Sequence, residues 1–206
     1  MLVWVAALHC EAKPIIDHYR LKKSLSHQAF DVYSKENMLC IISGIGKTAA
    51  AAATAWIAGL NSDKGAIAWI NIGTAGSATH ILGTALSIHK ISDDISTRYF
   101  HPVALFDSGL EPAHCRTLSK PSTDYHAQLI YDMEASAFFE TASRFSKAEL
   151  VHCLKIISDN PSQQIGRDKA RISELIKTHI AQLAGFAQLL KDLNDRMTQL
   201  EIKDSD

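Results

Sequence analysis

The chain has 206 residues, of which 47% are hydrophobic and 21% charged, with 10 Gly and 5 Pro. This composition is typical of a single globular domain over residues 1–206 and excludes collagen-like, low-complexity and wholly disordered chains. Because 21 Lys and Arg balance 22 Asp and Glu, the chain as a whole lacks the basic charge of a nucleic-acid-binding protein.

The first half of the chain alternates strand patterns with helical ones. Leu2–Leu8 is a nearly continuous apolar run, typical of a strand buried on both faces, and a helix follows from Glu11 to about Tyr19. The next predicted elements are strands over 30–33 and 38–42, an Ala-rich helix over 47–58 and a strand over 66–72. Glycine turns follow two of these strands, at Ser43–Gly46 and Gly73–Gly76. This order indicates parallel strands covered by helices.

The second half is less regular before it becomes helical. A strand is predicted over 83–91, an irregular region over 92–125 with a short strand at 116–119, a helix over 135–144 and a buried strand over 150–157. The remainder, about 167–200, is predicted to be one long helix. Its apolar stripe from Ile172 to Leu200 spans about 43 Å at 1.5 Å per residue, which is long for one small domain. We therefore expect a homodimer or larger homo-oligomer with part of this stripe at the interface.

Neither a membrane segment nor a metal centre is expected. The apolar opening Met1–Leu8 has no Lys or Arg and is too short to span a bilayer, which favours a cytoplasmic protein. The four cysteines form no CxxC pair and are expected to be reduced thiols. His-Cys occurs three times, but neighbouring residues on a strand point to opposite faces and zinc spacing is absent. No metal or other cofactor is therefore expected.

Gly46-Lys47-Thr48 after an apolar strand looks like the end of a phosphate-binding P-loop. That motif needs a glycine at position 41, where Ile41 continues the strand. The P-loop interpretation is therefore disfavoured, although this turn and the following helix can still hold a smaller polar group.

Acidic residues stand at the ends of three predicted buried segments: Glu11, Glu134 and Asp159. In an open α/β sheet the carboxyl ends of parallel strands converge on one crevice, so these carboxylates are expected to meet there. Taken singly, each acid is also explained as a helix cap or a first-turn residue that complements the helix dipole. Their combination with two glycine turns favours a site.

Four motifs in order resemble the purine nucleoside phosphorylase superfamily, and most closely its branch of methylthioadenosine and adenosylhomocysteine nucleosidases. They are Ser43-Gly44-Ile45-Gly46-Lys47, Asn71-Ile72-Gly73-Thr74-Ala75-Gly76, Asp132-Met133-Glu134-Ala135 and Ile156-Ile157-Ser158-Asp159. The resemblance covers about residues 1–185. It implies a three-layer α/β/α fold around a mixed, twisted and partly closed sheet, and cleavage of the N-glycosidic bond of a purine nucleoside or its 5′-thio derivative.

The resemblance also implies a role for each matching residue. Asp159 would protonate the purine nitrogen N7, Glu134 would bind the ribose hydroxyls, and Glu11 with Glu134 would orient the attacking water. The implied substrate-binding residues are Met133 on the sugar, Thr74 and Ala75 on the ribose and nucleophile side, Ser158 beside the base, and Lys155 near the water. A carboxyl group that is partly protonated can neutralise a leaving purine anion, and carboxylates near C1′ stabilise a ribosyl cation.

The chain departs from the family in the segment between Gly76 and Met133, which is several tens of residues shorter. No clear counterpart exists for the family's aromatic ring that stacks on the base. Two segments are alternatives for this wall: Ser119–Pro121 with Tyr125, or Arg98–Phe100. Lys155 also stands where the nucleosidases usually carry an arginine, and lysine lacks the planar guanidinium fork.

Hydrolysis is favoured over phosphorolysis because the phosphorylases bind phosphate with arginines after the first strand and before the central glycine turn. This chain has Glu11-Ala12-Lys13 and Asn71 at those places, although Lys13, Arg98 or Arg116 remain candidates for phosphate contact. Two alternatives stay open: a nucleoside-binding protein without turnover, and a structural α/β domain that dimerises through its C-terminal helix.

Overall fold

The computed structural model describes residues 1–24, 29–165 and 168–203, with only the backbone of 201–203. The strands are β1 (Leu2–Ala6), β2 (Lys22–Lys23), β3 (Asp31–Lys35), β4 (Met38–Ile42), β5 (Ala68–Ser77), β6 (Ala85–Asp93), β7 (Tyr99–Phe100), β8 (Glu111–Thr117), β9 (Ile130–Asp132) and β10 (Val151–Asp159). The helices are α1 (His9–Tyr19), α2 (Lys47–Gly59), α3 (Ala135–Ala142), α4 (Lys169–Thr178) and α5 (Ile180–Lys203), with a 3₁₀ turn at Ala148–Leu150.

All ten strands in the described ranges belong to one mixed sheet that partly closes on itself. Its order is β10-β6-β8-β9-β5-β1-β4-β3-β2, with β7 added to β6, and β10 also pairs with β5. The strands β5, β9, β8, β6 and β10 therefore form a closed ring, while β1, β4, β3 and β2 extend from it as an open wing. Helices cover both faces, which confirms the predicted three-layer fold with a mixed, partly closed sheet.

The central strand β5 lies between β1 and β10 and runs parallel to both. We predicted that this strand ends before Gly73–Gly76, and that prediction was wrong. Gly76 and Ser77 pair with Tyr131 and Ile130 of β9, and Gly73 pairs with Lys155 of β10. These ladder hydrogen bonds hold the glycines in an extended conformation, so β5 delivers the Thr74–Gly76 backbone directly to the edge of the ring.

Side chains on β1 show how the layers are packed. Val3 and Val5 face the core that includes α2 and α3, whereas Leu2, Trp4 and Ala6 face the core that includes α1, α4 and α5. All five residues are buried, as expected for a central strand covered by helices on both faces.

The region predicted to be irregular, 92–125, contains β7 and β8. On β8 the buried residues are Ala113, Cys115 and Thr117, which alternate with more exposed neighbours. This period of two identifies a strand, but the buried residues are small or polar and give a weak hydrophobic signal. The predicted short strand at 116–119 is therefore the end of a longer strand.

The predicted single C-terminal helix is divided into α4 and α5 at His179. Ile172, Ile176, Leu183 and Leu190 are at most 3% exposed within this one chain. These four residues of the apolar stripe therefore pack against the chain's own core, and the expectation that part of the stripe lies at a subunit interface stays a prediction for its other residues. Among the described helices, none carries an apolar stretch long enough to cross a bilayer.

We predict different costs for truncating the two ends of this stripe. Ile176→Ala removes a fully buried side chain and should lower the free energy of unfolding by about 2–5 kcal/mol. Leu200→Ala alters a side chain that is 60% exposed and should change it by no more than about 0.5 kcal/mol. Urea unfolding of both variants measures the difference, and equal costs would contradict the packing described here.

Candidate active site

A cavity of about 200 Å³ opens where β1, β5 and β10 end and α3 begins. It is lined by seven of the eight residues predicted for the site: Glu11, Thr74, Ala75, Met133, Glu134, Ser158 and Asp159. The eighth, Lys155, is not in its wall. Three acidic residues that are far apart in the sequence are therefore brought to one cavity.

The Glu11 carboxylate is held rigidly by three hydrogen bonds. Oε1 accepts from the backbone N–H of Thr74 at 2.8 Å and from its hydroxyl at 2.9 Å, and Oε2 accepts from the backbone N–H of Leu8 at 3.0 Å. A Cβ atom on Gly73 would lie 3.3 Å from Oε1, so the bare strand at Gly73 makes room for this carboxylate. A carboxylate has about four acceptor positions, which leaves Glu11 one further acceptor position on Oε2.

The Glu134 carboxylate stands at the N-terminus of α3 and is 8% exposed. Its Oε1 accepts a 2.7 Å hydrogen bond from the backbone N–H of Gly46, a residue with φ of +97° that strongly favours glycine. Burial, together with the negative charge of Asp132, raises the pKa of Glu134 to about 7, while Lys155 and the Gly46 N–H oppose that rise. Glu134 therefore titrates near neutral pH.

A buried ion pair lies beneath the two glutamates. Lys155 Nζ is 2.8 Å from Asp132 Oδ2 and donates to Asn71 Oδ1 at 2.8 Å. Burial lowers the pKa of Lys155, but its acidic neighbours, Asp132 first and then Glu134 and the thiols of Cys115 and Cys153, together keep that pKa above its usual value. We expected Lys155 to bind substrate, but its side chain is 1% exposed and does not reach the cavity.

Asp132 joins this ion pair to the backbone that carries Glu134. Its Oδ2 accepts from the backbone N–H of Ala135 at 2.8 Å, and its Oδ1 accepts from the Thr117 hydroxyl at 2.7 Å. Thr117 Oγ1 in turn accepts from the N–H of Ser136 at 2.9 Å. The first turn of α3 is therefore fixed by side chains of β8 and β9, which sets the position of Glu134.

Asp159 and Ser158 form the opposite wall of the cavity at the end of β10. The Ser158 hydroxyl donates to Asp159 Oδ2 at 2.5 Å. The pairing of β10 with β5 shifts register between Ile157 and Asp159, and such an irregularity redirects side chains at the end of a strand. Asp159 is partly exposed, whereas Glu11 and Glu134, which line the same cavity, are buried.

A segment between β8 and β9, which we call the strap (residues 118–126), closes one side of the cavity. Leu118, Lys120, Pro121, Ser122 and Tyr125 line the cavity from this segment. Of the two predicted alternatives for the base wall, this is the one that lies at the site.

The other alternative, Arg98–Phe100, makes its contacts elsewhere. Arg98 pairs with Glu140, the Tyr99 ring lies under Lys90 Nζ at 4.5 Å, and Phe100 packs on Phe139. None of the three residues lines the cavity.

Sequence reasoning missed Asp132 and the Gly46 amide as parts of the site. A lysine inside the otherwise apolar strand 150–157 indicates such a site residue, because a buried ammonium group requires an anionic partner.

Lys47, the lysine of the disfavoured P-loop interpretation, pairs with Asp93 at 2.9 Å and Asp94 at 2.6 Å. Across the described ranges, no three His, Cys, Asp or Glu side chains are grouped so as to hold a metal ion.

We predict that Lys155→Met lowers the free energy of unfolding by about 3–5 kcal/mol, because it leaves the buried Asp132 carboxylate without its cation. Urea unfolding measures the loss. The double variant Lys155→Met/Asp132→Asn removes both charges and keeps an acceptor for Ala135, so it should recover at least about 1 kcal/mol. A double variant that is less stable than Lys155→Met would contradict this account.

No protein-family model matches this chain, and no curated protein matches it by sequence. Many solved structures nevertheless resemble it. The 5′-methylthioadenosine/S-adenosylhomocysteine nucleosidase from Neisseria meningitidis, in complex with methylthio-immucillin-A, has a TM-score of 0.67 and 20% identity over 93% of this chain and 98% of that chain. The 5′-methylthioadenosine nucleosidase from Arabidopsis thaliana has a TM-score of 0.67 and 17% identity, covering 94% and 95% of the two chains.

A structure with a different activity in its name is equally similar. The futalosine hydrolase of Helicobacter pylori strain 26695 has a TM-score of 0.70 and 12% identity, covering 91% of this chain and 97% of that chain. The resemblance carried by the sequence motifs is therefore confirmed at the level of the fold, which this chain shares with the two nucleosidases and the futalosine hydrolase.

Proposed function

We propose that this chain is an enzyme that hydrolyses the N-glycosidic bond of a purine nucleoside or a 5′-thio purine nucleoside. The observation that carries the proposal is the placement of Glu11, Glu134 and Asp159 around one cavity. Breaking this bond requires a proton for the departing purine, negative charge near C1′, and an oriented water molecule. Three carboxyl groups around one cavity meet these requirements.

In the proposed reaction Asp159 donates a proton to N7 of the purine as the bond from C1′ to the base breaks. The bonding electrons leave with the neutral base, and the ribosyl cation is stabilised by the carboxylates of Glu11 and Glu134. Water adds to C1′ and gives up a proton. Glu11 is suited to receive it, since its remaining acceptor position on Oε2 can bind and orient that water.

The remaining predicted residues bind the substrate in this proposal. Glu134 accepts from the ribose hydroxyls, Met133 packs on the sugar, and Thr74 and Ala75 line the ribose and nucleophile side. Ser158 lies beside the base and holds Asp159 through the hydrogen bond described above.

The charges around the cavity support water rather than phosphate as the nucleophile. Lys120 is the only basic residue that lines the cavity within the described part of the chain. The other candidates for phosphate contact lie elsewhere: Lys13 pairs with Asp17 at 2.6 Å on the surface, Arg98 pairs with Glu140, and Arg116 lines a separate cavity across the strap. A phosphate dianion next to Glu11 would be repelled without a guanidinium fork to hold it.

The nature of the 5′ group and the assembly state are further parts of the proposal. The neighbours' names include both methylthioadenosine and futalosine, so the shared fold alone does not select the 5′ substituent.

We also propose a homodimer or larger homo-oligomer, formed through a surface other than the buried part of the α4–α5 stripe.

The proposal is tested by chromatographic detection of free base from adenosine, inosine, guanosine, methylthioadenosine and adenosylhomocysteine, with and without millimolar phosphate. We expect release of base and free ribose product in both buffers. Asp159→Asn should slow turnover by about 10²- to 10⁴-fold because it has no transferable proton, and Glu134→Gln should weaken both binding and rate.

Glu140→Gln is the matched control, since this carboxylate lies outside the cavity and pairs with Arg98; its activity should equal that of the unaltered chain. A strict need for phosphate, with ribose 1-phosphate as product, would instead identify a phosphorylase. Binding without any base release would identify a nucleoside-binding protein.

We further predict that nucleoside affinity depends on pH through Glu134. Only the ionised carboxylate accepts from both ribose hydroxyls, and its pKa of about 7 means that it becomes protonated as pH falls below 7. The Kd should therefore rise below pH 7, approaching tenfold per pH unit. Calorimetric titration from pH 5.5 to 8.5 measures this, and Glu134→Gln should bind weakly with no inflection near pH 7. The same inflection in both proteins would assign it to another group.

A further inference from the structure

The ring of Tyr125 lies inside the candidate active site, directly against the backbone of Gly76. A Cβ atom built on Gly76 would lie 2.3 Å from Cζ and 2.4 Å from the hydroxyl oxygen of Tyr125. The absence of a side chain at Gly76 is therefore what allows the phenol to reach the floor of the cavity. Gly76 and Asp159 line this cavity together with Tyr125.

The strap and its neighbours hold the ring in place. Tyr125 stacks on Tyr131 with ring centroids 5.3 Å apart and an interplanar angle of 28°. The Tyr131 hydroxyl accepts from the backbone N–H of His126 at 3.0 Å, and the Thr79 hydroxyl donates to the Ala127 carbonyl at 3.0 Å. Residues 123, 124, 126 and 127 are themselves exposed, so a turn of the Tyr125 ring away from Gly76 disrupts little of the core.

The surroundings of the Tyr125 ring would also suit a purine base. Burial and the nearby negative charge of Asp159 both raise the pKa of Tyr125, so a planar ring bearing a hydrogen-bond donor lies near that carboxylate. The space left beside it is about 200 Å³, whereas sites for ligands of nucleoside size commonly measure about 300–1,000 Å³. The ring and a base are therefore competitors for the same space.

We propose that Tyr125 blocks the base end of this site: its ring occupies the base position over Gly76 in the unliganded chain, and a ligand enters only by displacing it. This inference rests on the proposed function. A planar base that packs on the Gly76 backbone takes the place of the ring there and lies next to Asp159, which lines the same cavity. Occupancy by Tyr125 lowers the population of the binding-competent state and weakens every affinity by that factor.

The test is calorimetric titration of adenine and adenosine into the full chain and three variants. Tyr125→Ala should lower the Kd for adenine by about 3- to 10-fold, because the competing ring is gone. Tyr125→Phe keeps the ring and should bind like the unaltered chain. Tyr99→Ala, which removes an exposed tyrosine outside the cavity, is the matched control and should also be unchanged.

Weaker adenine binding by Tyr125→Ala would overturn the inference and assign the ring a stacking role instead, while the proposed function would stand. If neither base nor nucleoside binds to the unaltered chain or to any variant, the proposed function fails and this inference fails with it.

A second measurement follows the ring in the unaltered sequence and needs only the conservative variant Tyr125→Phe for assignment. With 3-fluorotyrosine incorporated at all five tyrosines, the ¹⁹F resonance of Tyr125, assigned from its absence in Tyr125→Phe, should shift on addition of adenine. The Tyr99 resonance should stay in place. An unmoved Tyr125 resonance under saturating adenine would overturn the displacement.

Discussion

The buried ion pair between Asp132 and Lys155 is the constraint on which the candidate site depends. Lys155 forms an ion pair with the Asp132 carboxylate, and its positive charge also lowers the pKa of nearby Glu134. Two buried charges are costly to dehydrate, and that cost is offset only while each keeps its partner and hydrogen bonds. The pair thus connects β9 and β10, and through the Asp132 contacts with the first turn of α3 it fixes the glutamate that faces the cavity.

Closure of the sheet explains why such a pair fits here. In a flat parallel sheet β10 would pair with β5 and form the edge. Here β10 also pairs with β6, and the sheet continues through β8 and β9 back to β5. The strand ends then surround a small space instead of forming one line. The segment from Gly73 to Gly76 crosses this rim, and the absence of a side chain at its two glycines admits the Glu11 carboxylate at one end and the Tyr125 ring at the other.

The sequence allowed Glu11 and Asp159 to be predicted because β1 and β10 run parallel to β5 and end at the same edge. Glu134 was predicted by the same reasoning and reaches the cavity, but it follows β9, which runs antiparallel to β5. Prediction from the sequence failed where pairing between distant strands overrides the local conformational preference of the residues. Glycines 73 and 76 suggest a turn until the pairing of β9 with β5 is known, and the periodicity of the C-terminal stripe continues through His179 although the helix does not. The presence of Lys155 in an apolar strand indicates a buried anionic partner but does not identify it as Asp132. The position of Tyr125 depends on how the strap crosses the closed end of the sheet.

The opposite end of the sheet is also shaped by its sequence. The open wing ends in β2, a strand of only two residues, Lys22 and Lys23, both exposed, with Lys23 paired to Asp31 at 2.7 Å. An edge strand offers unpaired backbone groups to any other extended chain, and short, lysine-bearing edges discourage that pairing. Besides the two-residue strand β7, which pairs only with β6 among the described strands, this edge is a place where association through β-strands would begin. Replacing its lysines with β-branched apolar residues would therefore favour aggregation while leaving the cavity untouched.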